Sequence, residues 1–301
     1  MKKFLLSIFL LMALHSFGQK YVDIAKLHYA NTPVNQFDSA TNGSRVQEYG
    51  LDFLYPIKLK SGHAILTGFY AENISTQTSP IRSNLTSVGT ILLKAGISFK
   101  YSDKISVTYL LLPKISSDFK GFSAKDLQLG AVVLMKYKKS EYLTYQAGMY
   151  YNSELFGPFF VPILGIYYQS PSKKFEANIR IPISADINYT LTPWLRSGIN
   201  FNAFVRTFHL NEPYNGNSGN YLTKTTNEIY GYLQFDLPKG IILQTKVGYS
   251  IARNYRVYDI EDRIAWGFSA FKFGDDRTQL NTDFSDGMIL KAKLIYRFSL
   301  E

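Results

Sequence analysis

The sequence predicts an all-β protein: a single-domain antiparallel transmembrane β-barrel of about 14 strands, with 12 as the alternative count. Three observations point there. The chain opens on an export signal, apolar residues alternate with others from end to end, and the connections sort into very short and long ones.

Lys2 and Lys3 precede an apolar run from Phe4 to Leu14, broken only by Ser7, and Ser16 and Gly18 are the small residues of a cleavage site before Gln19. Residues 1–18 therefore read as a secretory signal peptide, too short in its apolar run to span a bilayer, and residues 19–301 as the barrel. There is no cysteine, which excludes disulfides, thiol chemistry and cysteine metal sites. Aromatic residues make up 16% of the chain, with 23 Tyr and 22 Phe against 2 Trp, while charged residues are only 19%. An exported chain of this composition without a helical span needs only alternate apolar residues to sit in an outer membrane.

The alternating stretches supply the strands. Tyr49, Leu51, Phe53, Tyr55 and Ile57 share one face of 47–59, opposite Glu48, Gly50 and Asp52. Stretches 87–101, 127–137, 141–151, 195–208 and 240–251 repeat the pattern, and each is long enough to cross a hydrocarbon layer at a tilt. Short turns are expected at 60–63, 102–104, 138–141, 170–173, 191–193 and 237–240, and longer loops at 32–44, 74–84, 114–125, 152–158, 211–222 and 252–286. Tyr55, Tyr101, Tyr137, Tyr142, Tyr167, Tyr168, Tyr189, Trp194 and Phe235 lie beside the short turns, where an interfacial girdle belongs. Even parity requires residues 174–190 to fold as a compact hairpin turning at Pro182, and 21–30 to count as a strand. Within 252–286, Ile264, Trp266, Phe268 and Ala270 alternate without fitting the parity. They read as a segment that covers the mouth or extends the wall outside the membrane.

In the closing stretch Met288, Leu290, Ala292, Leu294, Tyr296 and Phe298 form the lipid register, and Ile289, Lys291, Lys293, Ile295, Arg297 and Ser299 the lumen register. Tyr296 and Phe298 are the expected signal for the barrel-insertion machinery. Glu48, Asp52, Arg196, Arg206, Lys246, Lys291 and Lys293 are the expected lumen charges. Gln19, "IPISADINY" (181–189), "RNYRVYDIEDRIAWGFSAFKFGDD" (253–276) and "LIYRF" (294–298) resemble an outer-membrane barrel family of Bacteroidota whose function is unknown. That resemblance implies a barrel and a place, and transfers no active site. Ser39, in "FDSA", looks like the acceptor of Bacteroidota O-glycosylation, although three residues match by chance more readily.

Enzymatic readings fare poorly. His28, His63 and His209 are the histidines left after processing, none in a His-x-Ser arrangement, so His209 reads as a rim residue. Asp259, Glu261, Asp262, Asp275, Asp276 and Asp283 read as a solvated acidic loop without EF-hand spacing. The net charge of +10 has no clustered run for nucleic acid and belongs to the lumen and to rim contacts with lipid phosphate. The expectation is a passive channel or transporter for small solutes in the cell outer membrane, with no catalytic, cofactor or metal site. Its partners would be membrane lipid, lipopolysaccharide and the assembly machinery. A non-conducting structural or partner-binding barrel is the alternative.

Overall fold

A computed structural model describes residues 21–37, 43–78, 86–214, 216, 218–283 and 285–299. The signal-peptide reading and Ser39 lie outside them. The strands are β1 (Tyr21–Gln36), β2 (Gly43–Lys58), β3 (Ala64–Thr76), β4 (Thr86–Lys100), β5 (Ile105–Ser117), β6 (Leu127–Lys138), β7 (Leu143–Glu154) and β8 (Gly157–Gln169). They continue with β9 (Phe175–Ile181), β10 (Ser184–Thr192), β11 (Leu195–Leu210), β12 (Asn220–Asp236), β13 (Ile241–Asp259), β14 (Trp266–Phe268), β15 (Phe271–Phe273) and β16 (Met288–Ser299). β1 to β13 and β16 pair antiparallel around a closed ring of 14 strands, sealed where β1 meets β16 from Tyr21↔Ser299 to Asn31↔Leu290. Closure leaves no bare edge in the part that faces lipid.

Alternation sets the two faces. Leu27, Tyr49, Leu93, Leu111, Val133, Leu164, Ile199, Val247 and Leu294 stand exposed on the outer wall, while Ala30, Glu48, Thr90, Gln146, Asn200 and Ile295 are buried inside. The outer face turns polar at Gln47, Asn73, Ser87 and Asn227, so the strands continue beyond the apolar belt. This is why several expected loops shrink. Residues 152–158 hold only a two-residue connection between Glu154 and Gly157, and β13 runs on to Asp259. At the other end the turns are tight, with Gly62 at φ +84° and Gly240 at φ +75°, where a Cβ would strike the Arg297 carbonyl. Tyr55, Tyr101, Tyr137, Tyr142, Tyr189 and Trp194 are exposed beside these turns; Tyr167 instead points inward and is buried. Trp194 stacks on Phe235 with ring centres 6.3 Å apart.

The hairpin at 174–190 is present, with β9 only 7 residues long and β10 only 9, and Ile183 N donates to Arg180 O across the turn. The 12-strand count is thereby set aside. β14 and β15 form a small outer hairpin, and β14 pairs in parallel with the upper end of β8 (Gly267↔Phe159), extending the wall where short β9 stops.

Val247, 58% exposed at the middle of the outward face of β13, tests the lipid belt. Val247→Arg should lower unfolding stability in a bilayer by about 2–4 kcal/mol, measured by urea titration against Thr245→Arg near the turn end. Equal, negligible losses at both sites would mean that this wall does not face hydrocarbon.

Candidate functional site

The site is the lumen, and its form follows from the short hairpin. β11 pairs with β10 only up to Ser184↔Asn202, and one further bond joins Ala203 N to Ile183 O. Above that point this edge of β11 has no neighbouring strand. Thr207 N donates to the Glu154 carboxylate at 2.8 Å, and the Thr207 carbonyl accepts from Ser116 Oγ at 2.8 Å and Gln128 Nε2 at 3.2 Å. The Thr207 hydroxyl donates to Glu154 at 2.5 Å and accepts from Leu155 N at 2.9 Å. Two residues on, His209 pairs in parallel with Ser117, and Asp118 N donates to the His209 carbonyl at 3.0 Å. β11 thus spans the outer mouth and is clamped to β5, β6 and β7 on the far wall.

Charge pairs tie the walls together beneath the clamp. Lys224 of β12 reaches Glu48 of β2 at 2.5 Å, Lys114 reaches Glu154 at 3.2 Å, and Arg206 of β11 pairs with Glu72 of β3 beside Tyr70. Removed from water, such pairs persist only when their remaining hydrogen bonds are satisfied. Thr207 does this for Glu154, and Tyr70 donates to Glu72 at 2.8 Å. Two apolar clusters fill the outer space. One centres on Phe208, Leu222, Tyr255, Val257, Val46 and Ile74, the other on Phe156, Phe159, Tyr221, Tyr258, Ile260 and Ile264. Between them and the middle of the barrel a cavity of about 10 Å³ touches Ala30, Thr32, Glu48, Glu228 and Ile289, room for about one water.

The long loop completes the wall. Asn281 accepts from Val257 N at 2.7 Å and donates to Tyr255 O at 2.7 Å, and Asp286 accepts from Ala252 N and Arg253 N, both at 2.8 Å. The acidic residues are largely engaged: Asp283 is held by Arg256 and Asp275 by Arg277, whose guanidinium lies 4.3 Å over the Tyr258 ring. The hydrogen bond from Arg277 holds the Asp275 carboxyl below its usual range. Among the described residues no group of three or more His, Asp or Glu could hold a metal ion. His209 is a buried mouth residue, its Nδ1 2.7 Å from Asp126 Oδ1.

All seven expected lumen charges lie on the inward register, and the structure gives most of them partners on other strands. Glu48 pairs with Lys224, not with the lysines of β16, and Asp52 pairs with Lys94 at 2.7 Å. Arg196 pairs with Asp236 at 3.0 Å and Arg206 with Glu72. Lys291 lies 4.0 Å from Glu228, and Lys246 donates to Asn200 at 3.3 Å over the Tyr232 ring. Lys293 has no hydrogen-bond or ion-pair partner among the described residues. Sequence reasoning missed Lys114, Glu154, Thr207 and Lys224. Lys224 was legible, since Leu222, Lys224, Thr226, Glu228 and Tyr230 alternate inward on β12. Tyr296 and Phe298 stand outward on β16, each close to half exposed.

A closed ring with an apolar outer belt and a polar interior defines a transmembrane β-barrel. The chain belongs to the DUF6268 family, a domain of unknown function, whose model matches residues 81–284. No curated protein matches it. Among solved structures it is similar to the P. putida toluene transporter TodX, at 9% identity and TM-score 0.40, covering 92% of this chain and 91% of that one. It is also similar to the NanC porin, at 8% identity and TM-score 0.34 over 90% of this chain and 98% of that one. A bacterial polysaccharide outer membrane secretin follows at 10% identity and TM-score 0.33, covering 92% and 99%. These likenesses concern the fold alone.

Glu154→Ala would leave Lys114 buried without its anion and Thr207 N without an acceptor. The expected loss is about 3–5 kcal/mol of unfolding stability, against little change for Asp275→Asn on the outer loop. Wild-type stability in Glu154→Ala would show that β11 is not held by this clamp.

Proposed function

We propose that this is an outer-membrane barrel that does not conduct in its resting form, closed at the outer mouth and open toward the periplasm. The observation that carries the reading is the docking of Thr207 on β11 against Ser116, Gln128 and Glu154 of the opposite wall. The plug is a wall strand whose Thr207 and His209 backbone groups are bonded to the far wall, which differs from a loose loop resting in a pore. No catalytic role goes with it: the Asp126 carboxylate beside His209 is fully buried and already accepts from Ser123 N and Asn211. Export by a cleaved leader and an origin in Bacteroidota belong to the same proposal, supported by residues 1–18 and by the closing "LIYRF". Lipid and lipopolysaccharide are its surroundings.

A second reading, passive passage of small solutes once β11 is displaced, is favoured by the lysine-rich inner half of the lumen. Planar-bilayer recording separates the two. The wild-type barrel should show no steady conductance, and Glu154→Ala combined with Thr207→Ala should produce openings. Sustained conductance by wild type at low voltage would overturn the closed reading and leave the channel.

Tyr296 and Phe298 are proposed as the insertion signal, because both point to lipid on the last strand. Phe298→Ala should lower heat-modifiable barrel in the outer-membrane fraction more than total synthesis, and inward Ile295→Ala should do less. Equal assembly of Phe298→Ala and wild type would remove that role.

A further inference from the structure

Below the plug the lumen carries positive charge that the chain does not balance. Lys26 of β1, Lys246 of β13 and Lys291 and Lys293 of β16 all point inward from three adjacent strands. Lys246 sits directly across from Lys291, and Lys293 directly across from His28. Like charges opposite one another on paired strands repel. Lys26 has Asp23 at 3.5 Å and Lys291 has Glu228 at 4.0 Å, but both carboxylates are shared. Asp23 binds Arg297 at 2.7 Å as well as Lys26 at 3.5 Å, and Glu228 accepts from the Tyr230 hydroxyl at 2.6 Å. Glu48 is held by Lys224, and Asp186 accepts from the Tyr232 hydroxyl at 2.7 Å and from Asn200 at 3.2 Å. Neither Lys246, 3% exposed, nor Lys293 has a carboxylate within ion-pair reach among the described residues. Further round, Arg180 buries its Nε without a hydrogen-bond partner.

The wall opposite is mixed: Lys136 and Gln146 face inward on it among apolar residues. In a ring of 14, β6, β7 and β8 stand across from β13, β16 and β1. Leu110, Val132, Leu134 and Ile163 point inward there and on neighbouring β5, and all but Ile163 are only half-buried. Inward Gly148 gives Leu134 its place: a Cβ on Gly148 would lie 3.1 Å from Leu134 Cδ1. The leucine therefore lies against the β7 backbone at Gly148. One end of this space is closed by Ala30, Tyr230 and Ile289. Toward the short turns the Lys26 side chain is 40% exposed, and the Tyr21 hydroxyl of β1 donates across the lumen to Glu176 of β9 at 2.6 Å.

We infer that the inner half of the lumen binds an amphiphilic anion, its carboxylate or phosphate head between Lys246, Lys291 and Lys293 and its apolar body against Leu110, Leu134 and Ile163. Access is from the periplasmic end, and in this respect the inference rests on the closed outer mouth. An anion supplies the counter-charge that Lys246 and Lys293 lack, and the apolar wall gains contacts in place of water.

Calorimetric titration of the barrel in nanodiscs, with empty nanodiscs subtracted, tests this with octanoate, octyl phosphate, inorganic phosphate and octyltrimethylammonium as probes. Octanoate or octyl phosphate should bind at least about tenfold tighter than inorganic phosphate, and octyltrimethylammonium should not bind. The tighter of the two identifies the head group. Lys246→Gln with Lys293→Gln should weaken binding about tenfold or more, in protein that keeps its heat-modifiable mobility. Leu134→Asn should weaken the octyl ligands and not phosphate. No saturable binding by either anionic amphiphile, or binding unchanged by the double lysine variant, would overturn the inference. Wild-type conductance combined with lysine-dependent binding would overturn the closed mouth alone.

Discussion

A strand edge cannot be left bare, and this molecule has one strand too long for its neighbour. β10 stops at Ser184 while β11 continues to Leu210, so the upper edge of β11 loses its ladder partner. Backbone N–H and C=O groups out of reach of water must find partners. They find them across the barrel mouth, in Glu154, Gln128 and Ser116, and then in the backbone of β5. The plug follows from that accounting. Once β11 crosses, Phe208 and Leu210 are carried inward against Val46, Ile74 and Val88, and an apolar core forms where a simple barrel would hold water.

The same crossing determines which charges are sheltered. Glu154 faces the Thr207 backbone amide and hydroxyl, so its carboxylate is stabilised by hydrogen bonds as well as by Lys114. Arg206 is brought within reach of Glu72 and Tyr70 only because β11 approaches β3. Pairs of this kind add little stability compared with apolar packing, but they penalise any arrangement that separates them. Their effect is to favour one position of β11 across the mouth.

Alternation is a local signal, so it reads the wall well and the interior poorly. The β16 stretch shows both faces at sight, with Leu290, Leu294 and Tyr296 outward and Ile289 and Ile295 inward. The parity argument found the short β9–β10 hairpin because an even ring requires it. The lengths of β7 and β13 were not legible, since outside the apolar belt their outward residues turn polar and resemble loops: Ser153 and Asn254 lie in strands all the same. The partners in the lumen were legible still less. Glu48 and Lys224 stand on strands that are not neighbours, 176 residues apart, and nothing in either stretch names the other. Their meeting depends on the inward lean of β11 and β12, which is a consequence of closure and not of any local pattern.

The two halves of the lumen handle charge in opposite ways. In the outer half each buried cation of the clamp has its carboxylate, as Lys114, Arg206 and Lys224 do. In the inner half Lys246 and Lys293 have none, although moving a few residues along the same strands would have brought either near Glu228 or Asp23. A wall built only to hold itself together would have no use for Lys246 facing Lys291. Unbalanced charge inside a barrel is tolerated when water or a counter-ion reaches it, and the proposed anion is such a counter-ion. With the outer mouth closed as proposed, the remaining lumen sets Lys246 and Lys293, which have no carboxylate within ion-pair reach among the described residues, across from Leu110 and Leu134, with Lys136 of β6 beside them.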